Sequence, residues 1–424
     1  MVSRIVALIV CFLVAVPVAQ ANNPPEKGKT NIILIMADDL GAECIGCYGC
    51  TQYKTPNLDA LAKTGVRFAH AYSQPLCTPT RVQIMSGKYN HRNYIGFGKM
   101  RPNEYTFANL LKAAGYSTCI VGKWQLGGDY DQPSRYGFDE YCLWQIQGRD
   151  QRYWDPRIVV NKKLRPDLAK KYGPDVYTDH LLDFVERHKD GPFFVYFPMC
   201  LTHSPFVSTP DSKKLVPNEK TKNKAYFADM MNYTDKIVGR ITDKLDDLKI
   251  RENTLVIFTG DNGTDRAITT QTVNGPVRGG KSFMTNTGTH VPMIVTWSGT
   301  AAKGKVCSDL VDFTDFLPTF ADVAGVPLPK DRKFDGQSFL PQIRGEKGNP
   351  REWIFCHYWG YGRKKKQARE FARNQRWKLY HDGKFFDLDN DPQEKTPLKK
   401  LSPEAQAART LLEPVFAKVG SALK

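Results

Sequence analysis

After its first two dozen residues the chain has no apolar run long enough to span a bilayer, a span that needs about 20 residues. It has no internal repeat and no low-complexity tract, which excludes solenoids and collagen-like architectures. Acidic side chains are in short supply: 44 Asp and Glu stand against 60 Lys and Arg in 424 residues, for a net charge of +16. The remainder is ordinary, with 41% hydrophobic and 25% charged residues. That balance argues against a disordered chain or a disulfide-dense mini-scaffold. The length suits one large domain plus a smaller one. The basic excess favours an anionic partner: nucleic acid, an anionic membrane surface or an acidic substrate.

The first segment reads as an address. Arg4 precedes the apolar run Ile5–Val16, and Ala19-Gln20-Ala21 offers small residues where a signal peptidase cuts. Residues 1–21 are therefore expected to be a signal peptide. The mature chain would be periplasmic or secreted, with no membrane association after cleavage. Ten cysteines, one of them in the leader, leave an odd number in an oxidising compartment, so at least one is unpaired or chemically altered. Cys44, Cys47 and Cys50 have C-x-x-C-x-x-C spacing. No further His or Cys ligand follows at short range, so a loop is preferred to a metal knuckle.

Continuous apolar runs at Asn31–Ala37, Ser117–Val121, Phe193–Pro198, Thr254–Thr259 and Met293–Thr296 read as strands buried on both faces. Helical patterns lie between them at Thr55–Thr64, Tyr105–Ala114, Asp175–His188 and Ala225–Leu248. The alternation predicts an α/β fold, with a large mostly parallel sheet sandwiched by helices. Near Gly325 the texture changes. Short strands at Trp353–His357, Trp377–Tyr380 and Phe385–Leu388, then a helix over Pro403–Val419, predict a small antiparallel sheet with a helix. The expected units are residues 22–325, carrying the chemistry, and a C-terminal subdomain, 326–424. Arg363-Lys364-Lys365-Lys366 reads as a solvated basic loop.

Ligands bind beyond the carboxyl ends of strands in open parallel sheets. The first strand ends in Asp38-Asp39, and Leu255–Thr259 runs into Gly260-Asp261-Asn262-Gly263. If these strands are neighbours, three carboxylates and an amide oxygen meet at one point. Such hard oxygen donors suit calcium or magnesium better than zinc; calcium is the expected ion, with magnesium second.

Cys77, Pro79 and Arg81 form C-x-P-x-R, and here the sequence closely resembles the formylglycine-dependent (type I) sulfatases of the alkaline phosphatase superfamily. The likeness runs in the family's order through most of the mature chain. It takes in Asp38-Asp39-Leu40-Gly41, Gly122-Lys123-Trp124, Thr202-His203-Ser204-Pro205, Gly260-Asp261-Asn262-Gly263, Arg278-Gly279-Gly280-Lys281, and Phe385–Leu388 with Glu394. The resemblance implies an alkaline phosphatase-like fold. It also implies that a maturation enzyme oxidises Cys77 to formylglycine, whose hydrated aldehyde is the nucleophile and a further ligand of the ion. Asp38, Asp39, Asp261 and Asn262 would complete the calcium site. Lys123 and Lys281 would clamp sulfate oxygens, Arg81 would hold the diol, and His203 would protonate the leaving oxygen.

Three positions depart from the pattern. Gln125 stands where the family usually has a histidine, and glutamine cannot act as a base near neutral pH. Asn286 and His290 replace a glutamate and an arginine, which makes His290 a candidate substrate contact. Trp144, Arg149, Arg152 and Trp154 are candidate subsite residues by their aromatic and basic character. The expected activity is hydrolysis of an O-sulfate ester on a sulfated carbohydrate. The rivals are a phosphodiesterase or phosphonate hydrolase of the same superfamily, and a catalytically impaired polyanion-binding homologue. Nucleic acid is not expected as a partner, since no binding motif is present and the chain is exported.

Overall fold

The computed structural model describes residues 29–216, 223–421 and 423. The expected signal peptide at 1–21 lies outside the described residues. In chain order the strands are β1 (Asn31–Ala37), β2 (Val66–Tyr72), β3 (Ser117–Lys123), β4 (Glu140–Trp144), β5 (Val159–Val160), β6 (Lys163–Leu164), β7 (Phe193–Pro198), β8 (Thr254–Gly260), β9 (Thr269–Thr272), β10 (Gly275–Arg278), β11 (His290–Val291), β12 (Met293–Thr296) and β13 (Lys305–Asp312). The C-terminal part adds β14 (Ile354–Tyr358), β15 (Arg369–Arg373), β16 (Trp377–Tyr380) and β17 (Phe385–Asp387).

Eleven strands among the described residues form one sheet, in the order β11-β2-β12-β8-β1-β7-β3-β4-β5-β6 with β13 beside β2. Its centre, β8-β1-β7-β3-β4, is parallel throughout. A strand buried on both faces reads as a continuous apolar run, and β1 (NIILIMA) does so from Ile32 to Ala37. Ile32, Leu34 and Met36 face one core with Val82, Phe107, Phe316 and Phe320. Ile33, Ile35 and Ala37 face the other, with Tyr177, Leu181, Phe184, Met230 and Ile237. Helices Cys77–Ser86, Phe107–Ala113 and Phe316–Ala324 therefore cover the first face, and Gly173–His188 and Tyr226–Asp247 the second. This is the α/β sandwich expected from the sequence.

The small sheet β14-β15-β16-β17 is antiparallel. Helices Pro403–Leu412 and Val415–Val419 close its apolar face, built from Phe355, Ala372, Trp377 and Leu379. The single helix expected over 403–419 is broken at Pro414, which lacks the N–H a continuing helix requires. Phe339, Leu340 and Ile343 pack into the large core, so the change of core falls well after residue 325.

Arg351 fastens the small unit to the large one. Its guanidinium donates to Asp315 Oδ1 and Oδ2 at 2.8 and 2.7 Å, to Thr314 Oγ1 at 3.0 Å and to Tyr89 Oη at 3.2 Å, all buried. Removing one partner of a buried pair strands the other charge. Arg351→Ala is expected to cost about 3–5 kcal/mol in a denaturant-unfolding measurement; a loss below about 1 kcal/mol would contradict this role.

Candidate active site

The site grows from the carboxyl ends of β1 and β8. These strands pair with Ala37 opposite Gly260, so Asp38-Asp39 and Asp261-Asn262 leave the sheet side by side. Asp39 takes a left-handed backbone (φ 59), which turns the chain sharply out of β1. Its N–H donates to Asp261 Oδ1 at 3.0 Å, and Asn262 Nδ2 donates to Asp39 Oδ1 at 2.9 Å. All four residues are fully buried. Only a glycine fits at 263, since a Cβ there would lie 1.9 Å from Thr287 O.

Cys77 opens helix Cys77–Ser86, in which every residue is buried. Pro79 is tolerated because it stands in the first turn, and left-handed Gly87 (φ 63) ends the helix with its N–H on Gln83 O. One turn on from Cys77, Thr80 Oγ1 lies 2.6 Å from Asp261 O. Arg81 donates to Asp261 Oδ2 at 3.0 Å and to Lys123 O at 3.1 Å. A helix N-terminus and nearby lysines favour a thiolate, but burial outweighs them and pushes the Cys77 thiol up. Unmodified, Cys77 is a protonated thiol and a poor nucleophile.

Two lysines close the cluster. Lys123, at the end of β3, donates to Asp38 Oδ2 at 2.6 Å. The strand approaches β7 there through Gly122 (φ 106), where a Cβ would lie 2.2 Å from Pro198 O. Lys281 reaches Asp39 Oδ2 at 2.5 Å and His203 Nε2 at 2.9 Å. His203 Nδ1 lies 2.5 Å from Ser204 O. Because a carbonyl can only accept, Nδ1 carries the proton and Nε2 is left as an acceptor facing Lys281.

Burial alone would raise Asp38, but Lys123, His203, Arg81 and Lys281 outweigh it and hold its carboxyl well below the usual range. Asp39 is raised by burial, with the Asp38 charge adding to the shift. Asp261 is pushed up to about 8, by burial and then by Asp38. His203 is pushed well below 6.5 by burial, so the ordinary pKa that recommended it as a lone general acid is absent. Asp38 Oδ1 and Asn262 Oδ1 are buried without a hydrogen-bond partner. Asp38, Asp39 and His203 offer ligand atoms within 4.8 Å of one another. Carboxylates raised by burial and by one another's charge, beside orphaned hard oxygens, are what a divalent cation relieves, so the residues fit one.

Cys77, Arg81, Lys123, His203 and Lys281 thus meet Asp38, Asp39, Asp261 and Asn262 at one place. His290 is not among them. Its Nε2 lies 2.8 Å from Ala69 O and its ring packs on Tyr72. It borders a separate cavity of 1090 Å³ with Glu43, Asp265 and Arg278. Asn286 Oδ1 accepts from Arg373 at 2.7 Å. Gln125 is buried with a left-handed backbone (φ 55), and its Oε1 has no partner. Trp144 and Trp154 are structural, their indole N–H groups bonded to Asp150 O and Ser208 O, and Arg152 stacks on Trp144 at 4.3 Å. Among the described residues the cysteines, Cys44, Cys47 and Cys50 included, are free thiols.

Lys378 escaped the sequence reading. It is wholly buried, donates to Met284 O, and lies 2.9 Å from Glu394 Oε1. Glu394 Oε1 also accepts from Asn286 N at 3.0 Å. The pair holds the segment that follows Lys281. The available signal was a lysine inside an otherwise apolar strand, W-K-L-Y.

The chain matches the Sulfatase family model over residues 30–326, and a model of the N-sulphoglucosamine sulphohydrolase C-terminal region over 280–417. It belongs to the sulfatase family, within the alkaline phosphatase superfamily, and is a sulfuric ester hydrolase. It is similar to N-acetylgalactosamine-6-sulfatase of Canis lupus familiaris, 31% identical over 383 residues that cover 80% of this chain and 69% of the relative. Steryl-sulfatase of Mus musculus is 29% identical over 438 residues, covering 81% and 68%. The solved structure of Ps i-CgsB in complex with k-i-k-neocarrahexaose superposes with a TM-score of 0.79 at 28% identity, over 92% of each chain. Among the described residues no helix is long and apolar enough to cross a membrane.

Burial, opposed by Glu394, lowers Lys378 from 10.5 to about 8. Between those values the unfolded chain binds a proton that the folded chain has released, so folding stability rises with pH there. The wild type is expected to gain stability relative to Lys378→Met from pH 8 to 10, read as urea midpoints. A constant difference would refute the burial of a destabilised ammonium.

Proposed function

We propose that this chain is an exported sulfatase that hydrolyses O-sulfate esters of a sulfated carbohydrate. The reading uses a formylglycine made from Cys77 and one calcium ion held by Asp38, Asp39, Asp261, Asn262 and the converted Cys77. The observation that carries it is a cysteine heading a wholly buried helix beside three carboxylates and three cations, where two hard oxygens lack partners. Carbohydrate is favoured by the N-acetylgalactosamine-6-sulfatase relative and by the neocarrahexaose held by Ps i-CgsB. Export rests on the leader-like residues 1–21.

A hydrated aldehyde at position 77 supplies an oxygen nucleophile with a second hydroxyl for releasing sulfate, and calcium supplies charge that polarises the ester. The chain's own groups do the rest. Asp38, Asp39 and Asp261 balance Lys123, Lys281 and Arg81, so a divalent ion leaves the site positive for a sulfate ester. Lys123 and Lys281, each anchored on a carboxylate, present their remaining N–H bonds to sulfate oxygens. Arg81, one turn on from position 77, is fixed by Asp261 and Lys123 O and would hold the diol formed at position 77. His203 and Lys281 act as a pair in delivering a proton to the leaving oxygen: the lysine holds the proton beside Nε2, and Ser204 O fixes the ring.

Peptide mass spectrometry of protein from its native host is expected to find formylglycine at position 77, with faster release of sulfate than of phosphate from matched aryl esters. A persistent thiol, or a phosphate preference, overturns the reading. His203→Ala is expected to lower kcat/KM about 10²–10⁴-fold on sugar sulfates but far less on 4-nitrophenyl sulfate, whose leaving group needs no proton. Calcium added to chelator-treated protein should raise the Tm, and Asn262→Ala should remove most of that rise.

A further inference from the structure

Beside Cys77 the surface opens into a groove of 260 Å³ lined by Arg266, Phe283, Tyr358, Tyr361, Arg363 and Arg369, among others. Two contacts tie this groove to the nucleophile. Ser282, also in its wall, donates its N–H to Pro75 O at 2.8 Å, two residues before Cys77. Tyr358 shares an apolar cluster with Cys77 and Met284, and Phe97 packs against that cluster. Arg149 stands at the rim, its guanidinium carbon 5.9 Å from the Phe97 ring centre and 5.5 Å from that of Tyr361. Arg266 lies 5.0 Å over Phe283 in the same way.

A guanidinium held by its face against a ring keeps its N–H edges free, in a fork that fits the oxygens of a sulfate. Arg149, Arg266, Arg363 and Arg369 are all exposed, and none is ion-paired with a carboxylate among the described residues. Nearby Arg157, by contrast, pairs with Asp150 at 3.1 Å. Exposed Lys364, Lys365 and Lys366 extend the positive rim. Four exposed arginines without an ion pair among the described residues give this wall a positive field that favours an anion. Lys123, Lys281 and Arg81 already serve the scissile group, so this anion is a different one.

We propose that the collar binds a second sulfate ester, carried by the sugar adjoining the one that loses sulfate, so that the preferred substrate is a polysulfated carbohydrate. The proposal rests on the sulfatase reading above and adds the substrate's charge pattern to it. The basic run at 363–366 then has a function beyond solubility, and Arg149 is the subsite residue among the sequence candidates.

The test is a binding measurement, which needs no turnover. A galactose disaccharide sulfated once, and the same disaccharide sulfated on both units, are titrated calorimetrically into Cys77→Ser protein. The doubly sulfated sugar is expected to bind about ten- to a hundredfold more tightly, the size of one or more charge-assisted hydrogen bonds. Adding Arg149→Glu and Arg363→Glu, both at exposed positions, is expected to bring that ratio near one. Equal affinity for the two sugars in the Cys77→Ser protein, or an unchanged ratio in the charge-reversed variant, overturns the proposal. Failure of the sulfatase reading would register separately, as absence of sulfate release by converted wild-type protein.

Discussion

Six formal charges share the dry end of the sheet, and their mutual neutralisation is the constraint the rest of the molecule serves. Asp38, Asp39 and Asp261 are buried completely, as are Arg81 and Lys123 nearly so. Isolated, any one of them would be prohibitively costly there. Together they are tolerable only if each stays within ångströms of its partner. The strands deliver that precision. The β1–β8 register sets the carboxylates, the end of β3 sets Lys123, and the buried helix after Cys77 sets Arg81. β1 is apolar from Ile32 to Ala37 because both of its faces are covered, which leaves this point no wet side.

The small C-terminal unit takes part in the same task. Lys281 belongs to the segment between β10 and β11, which the large sheet does not grip along its length. The small sheet supplies what is missing. Glu394 and Lys378 fasten Asn286 and Met284, and Arg373 fastens the Asn286 side chain. Arg351 locks that unit to the turn at Thr314 and Asp315. The segment from Lys281 to the Lys378–Glu394 ion pair thus joins the two units, and the second model match begins at residue 280, inside the large one.

Much of this was legible beforehand, for physical reasons. β1, β7 and β12 have the bounds expected, since an unbroken apolar run admits little else. The clustered carboxylates were legible because strand ends in parallel sheets are where ligands collect. What escaped notice lacked a local signature. β2 (VRFAHAY) and β13 (KVCSDLVD) carry polar residues and owe their form to pairing with each other. Helix Cys77–Ser86 is buried all round, so it has no polar face to mark its period. His203 was found, but its protonation was not, because only the fold reveals that Ser204 O takes one ring nitrogen and burial governs the other. His290 fell to a backbone carbonyl in the sheet, which no motif could announce.

The depth of that helix also sets an order of events. Cys77 is 1% exposed, packed with Leu76, Met284 and the small-sheet residues Cys356, Tyr358 and Phe371. No enzyme can take hold of its sulfur without pulling apart the neighbours that give the helix its place. Any catalyst that rewrites this side chain must meet it while the polypeptide is still open, before the sheet closes. Under the reading proposed above, the window for converting Cys77 would be shut by the speed of folding itself, and a chain that folded too early would be left with an inert thiol sealed inside.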